Sequence, residues 1–252
     1  MLKNRVIPCL LISQDGLVKT KKFKNPKYVG DPINAVKIFN EKEVDELIVL
    51  DIDASKFNHE PKYELITQLS SECFMPLTYG GGITNIDQAK TIFSLGVEKI
   101  SLQTSTYKNI NLISQISEKF GTQSVIASVD IKEDWLGRKK VFFSAKNKFL
   151  DIAWQDYLKM IVKSGAGEIL INCIDHDGVM QGMNLKLIKE ASELTSVPII
   201  ACGGVGSLKD IKEAIRAGAS AVAAGSFFVF SGPYRAVLIT YPTYKKLEEF
   251  LN

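Results

Sequence analysis

The chain has 252 residues, a formal net charge of +3 and 46% hydrophobic residues. This length suits one large domain over residues 1–252, and the small net charge gives no reason to expect a nucleic-acid or membrane partner. No apolar run reaches the ~18 residues of a membrane span, and the first residues resemble a strand rather than a signal peptide. Four cysteines without metal-type spacing are expected to be free thiols of a cytoplasmic protein.

Eight short runs rich in Val, Ile and Leu alternate with helical patterns along the chain. Consecutive apolar residues are typical of strands buried on both faces of a parallel sheet. The strands predicted in this way are residues 5–13, 46–53, 75–79, 99–104, 124–131, 168–174, 197–201 and 221–225. The stretch 137–150 predicts a hairpin inserted after the fifth strand. Eight strand–helix units predict a closed α/β barrel, the (β/α)8 TIM barrel.

The two halves of the chain resemble each other at the ends of the predicted strands. The matching pairs, 122 to 124 residues apart, are Asp51 with Asp175, Gly81 with Gly203, and Thr104 with Ser226. A nearly constant offset predicts a barrel built from two (β/α)4 half-repeats with similar chemistry at their strand ends.

Glycine pairs follow the third and the seventh strand, and a hydroxyl or glycine follows each neighbouring strand. Backbone N–H groups can approach an anion closely where no Cβ intervenes, and the next helix adds its dipole. The candidate phosphate ligands are Gly81, Gly82 and Thr104 in one half, and Gly203, Gly204, Gly225 and Ser226 in the other. Two such cradles predict a ligand with a phosphate at each end. The alternative is that the glycines only make tight turns.

Aspartates also lie where barrel strands end and where the chemistry of this fold takes place. Asp130 is the candidate catalytic group, because it lies near the end of the apolar run VIASVDIK, where an unpaired charge is costly. Asp51, Asp177 and Gly178 are further candidates for ligand binding. Aligning the two halves places Leu11 opposite Asp130, so a symmetric pair of carboxylates is not expected.

Charged residues begin four of the predicted strands: Arg5, Glu46, Lys99 and Glu168. Facing inward at the amino-terminal end of a barrel, two acids and two bases would form a ring of salt bridges that could gate a small polar molecule. The alternative is that they are solvated strand starts.

Motifs along essentially the whole chain are similar to those of the cyclase subunit of imidazole glycerol phosphate synthase, an enzyme of histidine biosynthesis. They are RVIPCL at 5–10, GDP at 30–32, DELIVLDIDAS at 45–55, GGGI at 80–83, SVDIK at 128–132, GAGEIL at 165–170, IDHDG at 174–178 and PIIACGGVG at 198–206.

The resemblance implies a glutaminase subunit docked on the amino-terminal face, whose ammonia passes a gate that Arg5, Glu46, Lys99 and Glu168 match. It also implies a bisphosphorylated substrate, with Lys19 on a flexible loop after strand 1 and Ser144 of the inserted hairpin reaching it. No metal ion and no redox cofactor is expected.

The sequence departs from that family at one catalytic position. The family uses two aspartates, and Asp130 matches the second, whereas Leu11 stands in place of the first. Asp15 follows four residues later, and Gln103 replaces a usual Asn. The segment 234–242, YRAVLITYP, resembles a paralogous branch that works with an ATP-dependent N-acetyl sugar amidotransferase, in which ammonia serves to amidinate bacterial surface sugars.

Four hypotheses remain open from the sequence. The first is a divergent cyclase-type subunit that supplies ammonia for sugar amidation, and the second is a working cyclase of histidine biosynthesis. The third is a single-chain phosphosugar isomerase, which would need neither a glutaminase nor a charged gate. The fourth is a docking scaffold without chemistry, against which the retained Asp130 and both phosphate cradles argue.

Overall fold

The computed structural model describes residues 4–251 of the chain. In chain order the strands of this part are β1 (Arg5–Ser13), β2 (Gly16–Lys21), β3 (Lys24–Gly30), β4 (Leu47–Asp51), β5 (Leu77–Gly80), β6 (Lys99–Leu102), β7 (Val125–Glu133), β8 (Lys139–Phe143), β9 (Lys148–Phe149), β10 (Glu168–Cys173), β11 (Ile199–Cys202), β12 (Ala221–Ala224), β13 (Phe230–Ser231) and β14 (Ala236–Val237).

The α-helices of the described residues follow the strands in alternation. They are α1 (Pro32–Glu41), α2 (Ala54–Phe57), α3 (Tyr63–Glu72), α4 (Ile86–Ser94), α5 (Thr104–Lys108), α6 (Asn111–Phe120), α7 (Trp154–Lys163), α8 (Leu185–Leu194), α9 (Leu208–Arg216), α10 (Ser226–Val229) and α11 (Tyr244–Leu251). Side chains cap several of them: Asp31 accepts from the N–H of Asn34, and Ser207 forms a capping box with Asp210.

Eight of the strands pair in parallel around a closed circle, in the order β1, β4, β5, β6, β7, β10, β11 and β12, and β12 returns to β1. The chain is therefore a (β/α)8 TIM barrel, as the alternation of apolar runs predicted. The eight predicted strands are all present, and most of their ends differ from the prediction by one or two residues.

The barrel interior forms a small apolar cluster of its own, separate from the larger core between strands and helices. Its buried members are Ile7, Cys9, Ile48, Ile126, Leu170, Ile200, Ala221 and Ala223, with Leu11, Leu50 and Cys202 packed against them. The interior is thus filled in its middle layers, and polar side chains are concentrated at its two ends.

Two antiparallel hairpins stand on the carboxyl-terminal side of the barrel. The hairpin β8–β9 extends β7, which confirms the insertion predicted at 137–150. The hairpin β2–β3 extends β1 over residues 16–30, where the prediction was a flexible loop. That prediction was wrong in form, because Val18 and Leu17 pair with β1 and bury their side chains.

The predicted strand end at Thr104 belongs instead to a helix, and Ser226, next to another predicted strand end, also begins one. Thr104 and Ser226 are the first residues of α5 and α10, since β6 and β12 end at Leu102 and Ala224. A short helix therefore starts directly at each of these strand ends. In the described part, no helix is both long enough and apolar enough to cross a membrane.

Candidate functional site

A cavity of about 510 Å³ opens at the carboxyl ends of the barrel strands. Its walls include every residue predicted to bind or convert a ligand, namely Lys19, Asp51, Gly81, Gly82, Thr104, Asp130, Ser144, Asp177, Gly178, Gly203, Gly204, Gly225 and Ser226. Residues from all parts of the chain meet here because parallel strands of a barrel end at one face.

Asp130 lies deep in this cavity near the end of β7, with 5% of its surface exposed. Its carboxylate accepts hydrogen bonds from the hydroxyl of Ser144 and the side-chain amide of Gln103. The pKa of Asp130 is raised to about 7, chiefly by burial and in part by the nearby Asp177, while the two hydrogen bonds act in the opposite direction. A carboxyl group poised near neutral pH can act as a general acid or base.

Lys19 reaches the cavity from the hairpin β2–β3 and is 5% exposed. Its Nζ donates to the carbonyl oxygen of Cys9 at 2.6 Å, and burial lowers the pKa of the amine. Asp177 lies in the loop after β10, where burial raises its pKa to about 6, and the Lys19 charge and a hydrogen bond from Thr20 oppose that rise. The cavity therefore holds the buried Lys19 together with the carboxyl groups of Asp130 and Asp177.

Two buried polar atoms in the cavity wall have no hydrogen-bond partner among residues 4–251. Asp51 accepts from the N–H groups of Asp53 and Ala54 through Oδ1, whereas its Oδ2 is unpartnered. Asn172 of β10 also has an unpartnered Oδ1. Such atoms are uncommon in folded proteins and are available to a ligand that donates hydrogen bonds. Asn172 was not predicted, although an asparagine inside the apolar run EILINC was a visible anomaly.

The glycine pairs adopt backbone conformations that other residues avoid. Gly81 and Gly82 have φ of 126° and 74°, and Gly203 and Gly204 have φ of 94° and 108°. A Cβ at Gly204 would lie 2.2 Å from the carbonyl oxygen of Gly182. Glycine is therefore required at these turns by the backbone itself, so phosphate binding needs support beyond the presence of glycine.

Leu11 of β1 lines the cavity and packs against the apolar cluster of the barrel interior, as do Leu50 and Cys202. The position that would hold a second acid thus presents an apolar wall. Asp15 does not replace it, because this residue lies in the turn between β1 and β2 with 94% of its side chain exposed and pairs with Lys62 at 2.9 Å. Two thiols, Cys9 and Cys202, also line the cavity, which the sequence reasoning did not anticipate.

At the opposite end of the barrel, the four charged strand starts meet in a ring. Arg5 donates to Glu46 at 2.7 Å and also pairs with Glu168. Lys99 donates to Glu46 at 3.0 Å and to Glu168 at 2.7 Å. Glu46 is 3% exposed, and the two cations hold the pKa of Glu168 below its usual value against the opposing effect of burial. The alternative of separate, solvated strand starts is therefore wrong.

The fold and the site define a class: a (β/α)8 barrel with an active-site-like cavity at the carboxyl ends of its strands and a ring of charges at the other end. Comparison with known families gives the particular group. Residues 5–234 match the family described as histidine biosynthesis protein. The chain therefore belongs to this family.

Individual relatives place the chain within the family. It is 51% identical over 249 residues, 98% of this chain and 99% of the relative, to a Pseudomonas aeruginosa protein provisionally named imidazole glycerol phosphate synthase subunit hisF2. It is 49% identical to a Vibrio vulnificus protein provisionally named subunit hisF3, covering 96% of this chain and 94% of that one. It is 36% identical to the imidazole glycerol phosphate synthase subunit HisF of Dictyoglomus turgidum, covering 91% of both chains. The chain is thus a barrel of the HisF cyclase-subunit type.

Proposed function

We propose that this barrel receives ammonia from a glutaminase subunit at its amino-terminal face and supplies it for the amidination of a bacterial surface sugar. The recipient would be a partner of the ATP-dependent N-acetyl sugar amidotransferase type. One observation carries the proposal: Leu11 stands at the family's first catalytic aspartate, while the charged ring at the other end of the barrel is complete. A barrel without a use for ammonia would have no reason to keep that ring.

The interior of the barrel supports a path for ammonia from the ring to the cavity. The hydroxyl of Thr78 donates to Glu46 at 3.3 Å, directly above the ring. Further along, Ser101 and Ser128 share a hydrogen bond of 2.6 Å and line the floor of the cavity. Between these hydroxyls lies the packed apolar cluster of the barrel interior. A small neutral amine would cross this layer at a lower desolvation cost than ammonium would.

A bisphosphorylated molecule is the proposed occupant of the cavity. The two glycine turns lie beside the starts of α5 and α10, so that backbone N–H groups of each half can face a phosphate. Lys19 supplies a positive charge, and a Cβ at Gly225 would lie 2.6 Å from its Nζ, which places this side chain beside the residue that precedes α10. The unpartnered oxygens of Asp51 and Asn172 would accept hydrogen bonds from ligand hydroxyl groups.

The apolar wall at Leu11 is the physical reason to expect little cyclase activity. Ring closure needs protons to be removed and returned, and leucine can do neither. Losing one acid–base group costs about 10²- to 10⁴-fold in rate. Asp130 alone would provide one proton transfer, and Leu11 stands at its partner position.

A second candidate function is cyclase activity in histidine biosynthesis. Asp130 favours it, since burial holds its pKa near 7 and Ser144 and Gln103 orient the carboxylate. Asp177, buried with its pKa raised to about 6, is the group that could take over the missing role. The higher identity to the hisF2 and hisF3 proteins than to the HisF of Dictyoglomus turgidum supports a paralogous branch of the family.

Growth of a histidine auxotroph without a cyclase gene separates the two functions in the cell. We expect wild-type chain to leave the strain unable to grow without histidine, even when a matching glutaminase is supplied. Growth at the normal rate would contradict the proposal and support the cyclase. The complementary test reconstitutes the chain with its glutaminase and a sugar amidotransferase, where amidinated sugar should form from glutamine only when the barrel is present.

A further inference from the structure

The segment that departs from the cyclase family, residues 234–242, begins with a short hairpin whose role the proposed function leaves open. Its strands β13 and β14 pair through Phe230 with Val237 and Ser231 with Ala236. Tyr234 at the turn is 95% exposed, whereas Arg235 beside it folds inward with a left-handed φ of 52°. A non-glycine residue in this conformation is uncommon and points to contacts that hold it there.

Arg235 reaches the loop that follows β10. Its Nη2 donates to the carbonyl oxygen of Gly178 at 2.8 Å and contacts the sulfur of Met180 at 3.3 Å. The guanidinium lies over the ring of Phe230, 4.8 Å from its centroid, and Nε is buried without a partner in the described part of the chain. Packing and hydrogen bonding thus fix a charged group against this loop from outside the cavity.

The same loop holds the hairpin β2–β3 from its other side. The N–H of Lys22 donates to the carbonyl oxygen of Asp177 at 2.9 Å, and the hydroxyl of Thr20 donates to the Asp177 carboxylate at 3.2 Å. A Cβ at Gly178 would lie 2.1 Å from the carbonyl oxygen of Thr20, so the two backbones are in direct contact. Lys19, the buried cation of the cavity, immediately precedes these contacts.

The contacts form one connected series from Arg235 through Gly178 and Asp177 to the hairpin β2–β3. A second tie runs in parallel, because Lys27 of β3 lies 5.7 Å from the centroid of the same Phe230 ring. We propose that Arg235 is a positioning residue that holds the hairpin β2–β3 over the cavity and thereby sets the place of Lys19 and Asp177. This role rests on the proposed function, and it gives the divergent segment a part in closing the same cavity.

Hydrogen exchange and lysine acetylation of the free full-length barrel test this role without any ligand or partner. The variants are R235A and R235K, and Y234A is the matched control, because it truncates the exposed neighbour in the same turn. Loss of a hydrogen bond from a charged group predicts about tenfold faster exchange for the peptides around Lys22 and Gly178 in R235A. Acetic anhydride should modify Lys19 about tenfold faster, relative to Lys186, whose side chain is 82% exposed.

The outcomes distinguish positioning from a general structural role. In R235A the amides of the barrel strands should keep their wild-type protection. R235K retains a cation near Phe230 and Gly178, so its exchange around Lys22 and its Lys19 acetylation should be intermediate between the wild type and R235A. Unchanged exchange and unchanged Lys19 acetylation in R235A would overturn the proposal. Faster exchange throughout the barrel strands in both R235A and R235K would also overturn it. A failure of the proposed function would appear instead in the auxotroph test, which these measurements do not depend on.

Discussion

Replacing Asp130 by Asn should stabilise the protein at alkaline pH and have little effect in acid. Asp130 is 5% exposed and its pKa is raised from 3.8 to about 7, chiefly by burial. Between these values the unfolded chain has lost the proton and the folded chain retains it, so the stability of the wild type falls as pH rises. Asparagine has nearly the same shape and no charge to bury.

The size of the effect follows from the shift in pKa. Each pKa unit corresponds to 1.36 kcal/mol, so a rise of about three units costs the wild type about 4 kcal/mol above pH ~7. The charged form also receives stronger hydrogen bonds from Ser144 and Gln103, which the variant loses in part. We therefore expect Asp130→Asn to gain about 2–4 kcal/mol over the wild type at about pH 8.5 and less than ~1 kcal/mol at about pH 4.

Urea unfolding at several pH values measures this difference directly. Asp15→Asn is the matched control, because it makes the same chemical change at a 94% exposed side chain outside the cavity. If the free energies of unfolding of Asp130→Asn and the wild type differ by the same amount at both ends of the pH range, burial of the Asp130 charge does not destabilise the fold. A variant less stable at high pH would show that the hydrogen bonds outweigh the cost of burying the charge.

Further predictions concern the ring and the glycine turns. Lys99→Met removes a cation that joins Glu46 to Glu168. With the glutaminase bound, this variant should transfer ammonia from glutamine about tenfold more slowly or worse, while the rate with added ammonium salts should stay nearly unchanged. Equal losses with both nitrogen sources would contradict a gate. Gly204→Ala should destabilise the barrel by more than ~2 kcal/mol in urea unfolding, because φ is 108° and the Cβ would meet Gly182. Gly137→Ala is its control, with φ of 73° but open space around the Cβ, and a similar loss in both variants would show that only φ matters.

The barrel and the membership of its cavity could be predicted because each rests on local patterns. Eight apolar runs determine the closed sheet, and a barrel brings all strand ends to one face, so residues as distant as Asp51 and Ser226 had to lie around one opening. Lys19 was expected there only from the family resemblance. The charged ring follows from the same geometry, since Arg5, Glu46 and Glu168 open strands that point the same way.

Features that depend on contacts between distant segments could not be predicted. The turn of the hairpin β2–β3 has left-handed φ at Lys22 and Phe23, which are not the Asn-Gly residues that usually mark such turns. Its position is set by Asp177, more than a hundred residues away, and Arg235 fixes that loop in turn. Asn172 reads as a strand residue in the sequence, and only the closed barrel shows that its side chain lines the cavity.

Cyclase turnover of the purified barrel shows directly whether Leu11, in place of the first aspartate, removes cyclase activity. The assay supplies the bisphosphorylated intermediate of histidine biosynthesis with saturating ammonium, and compares the wild type with Leu11→Asp. The apolar wall at Leu11 predicts a wild type about 10²- to 10⁴-fold slower than a cyclase with both aspartates, and a gain of activity in Leu11→Asp. Normal turnover by the wild type would contradict the account and show that another group of the cavity performs the missing proton transfer.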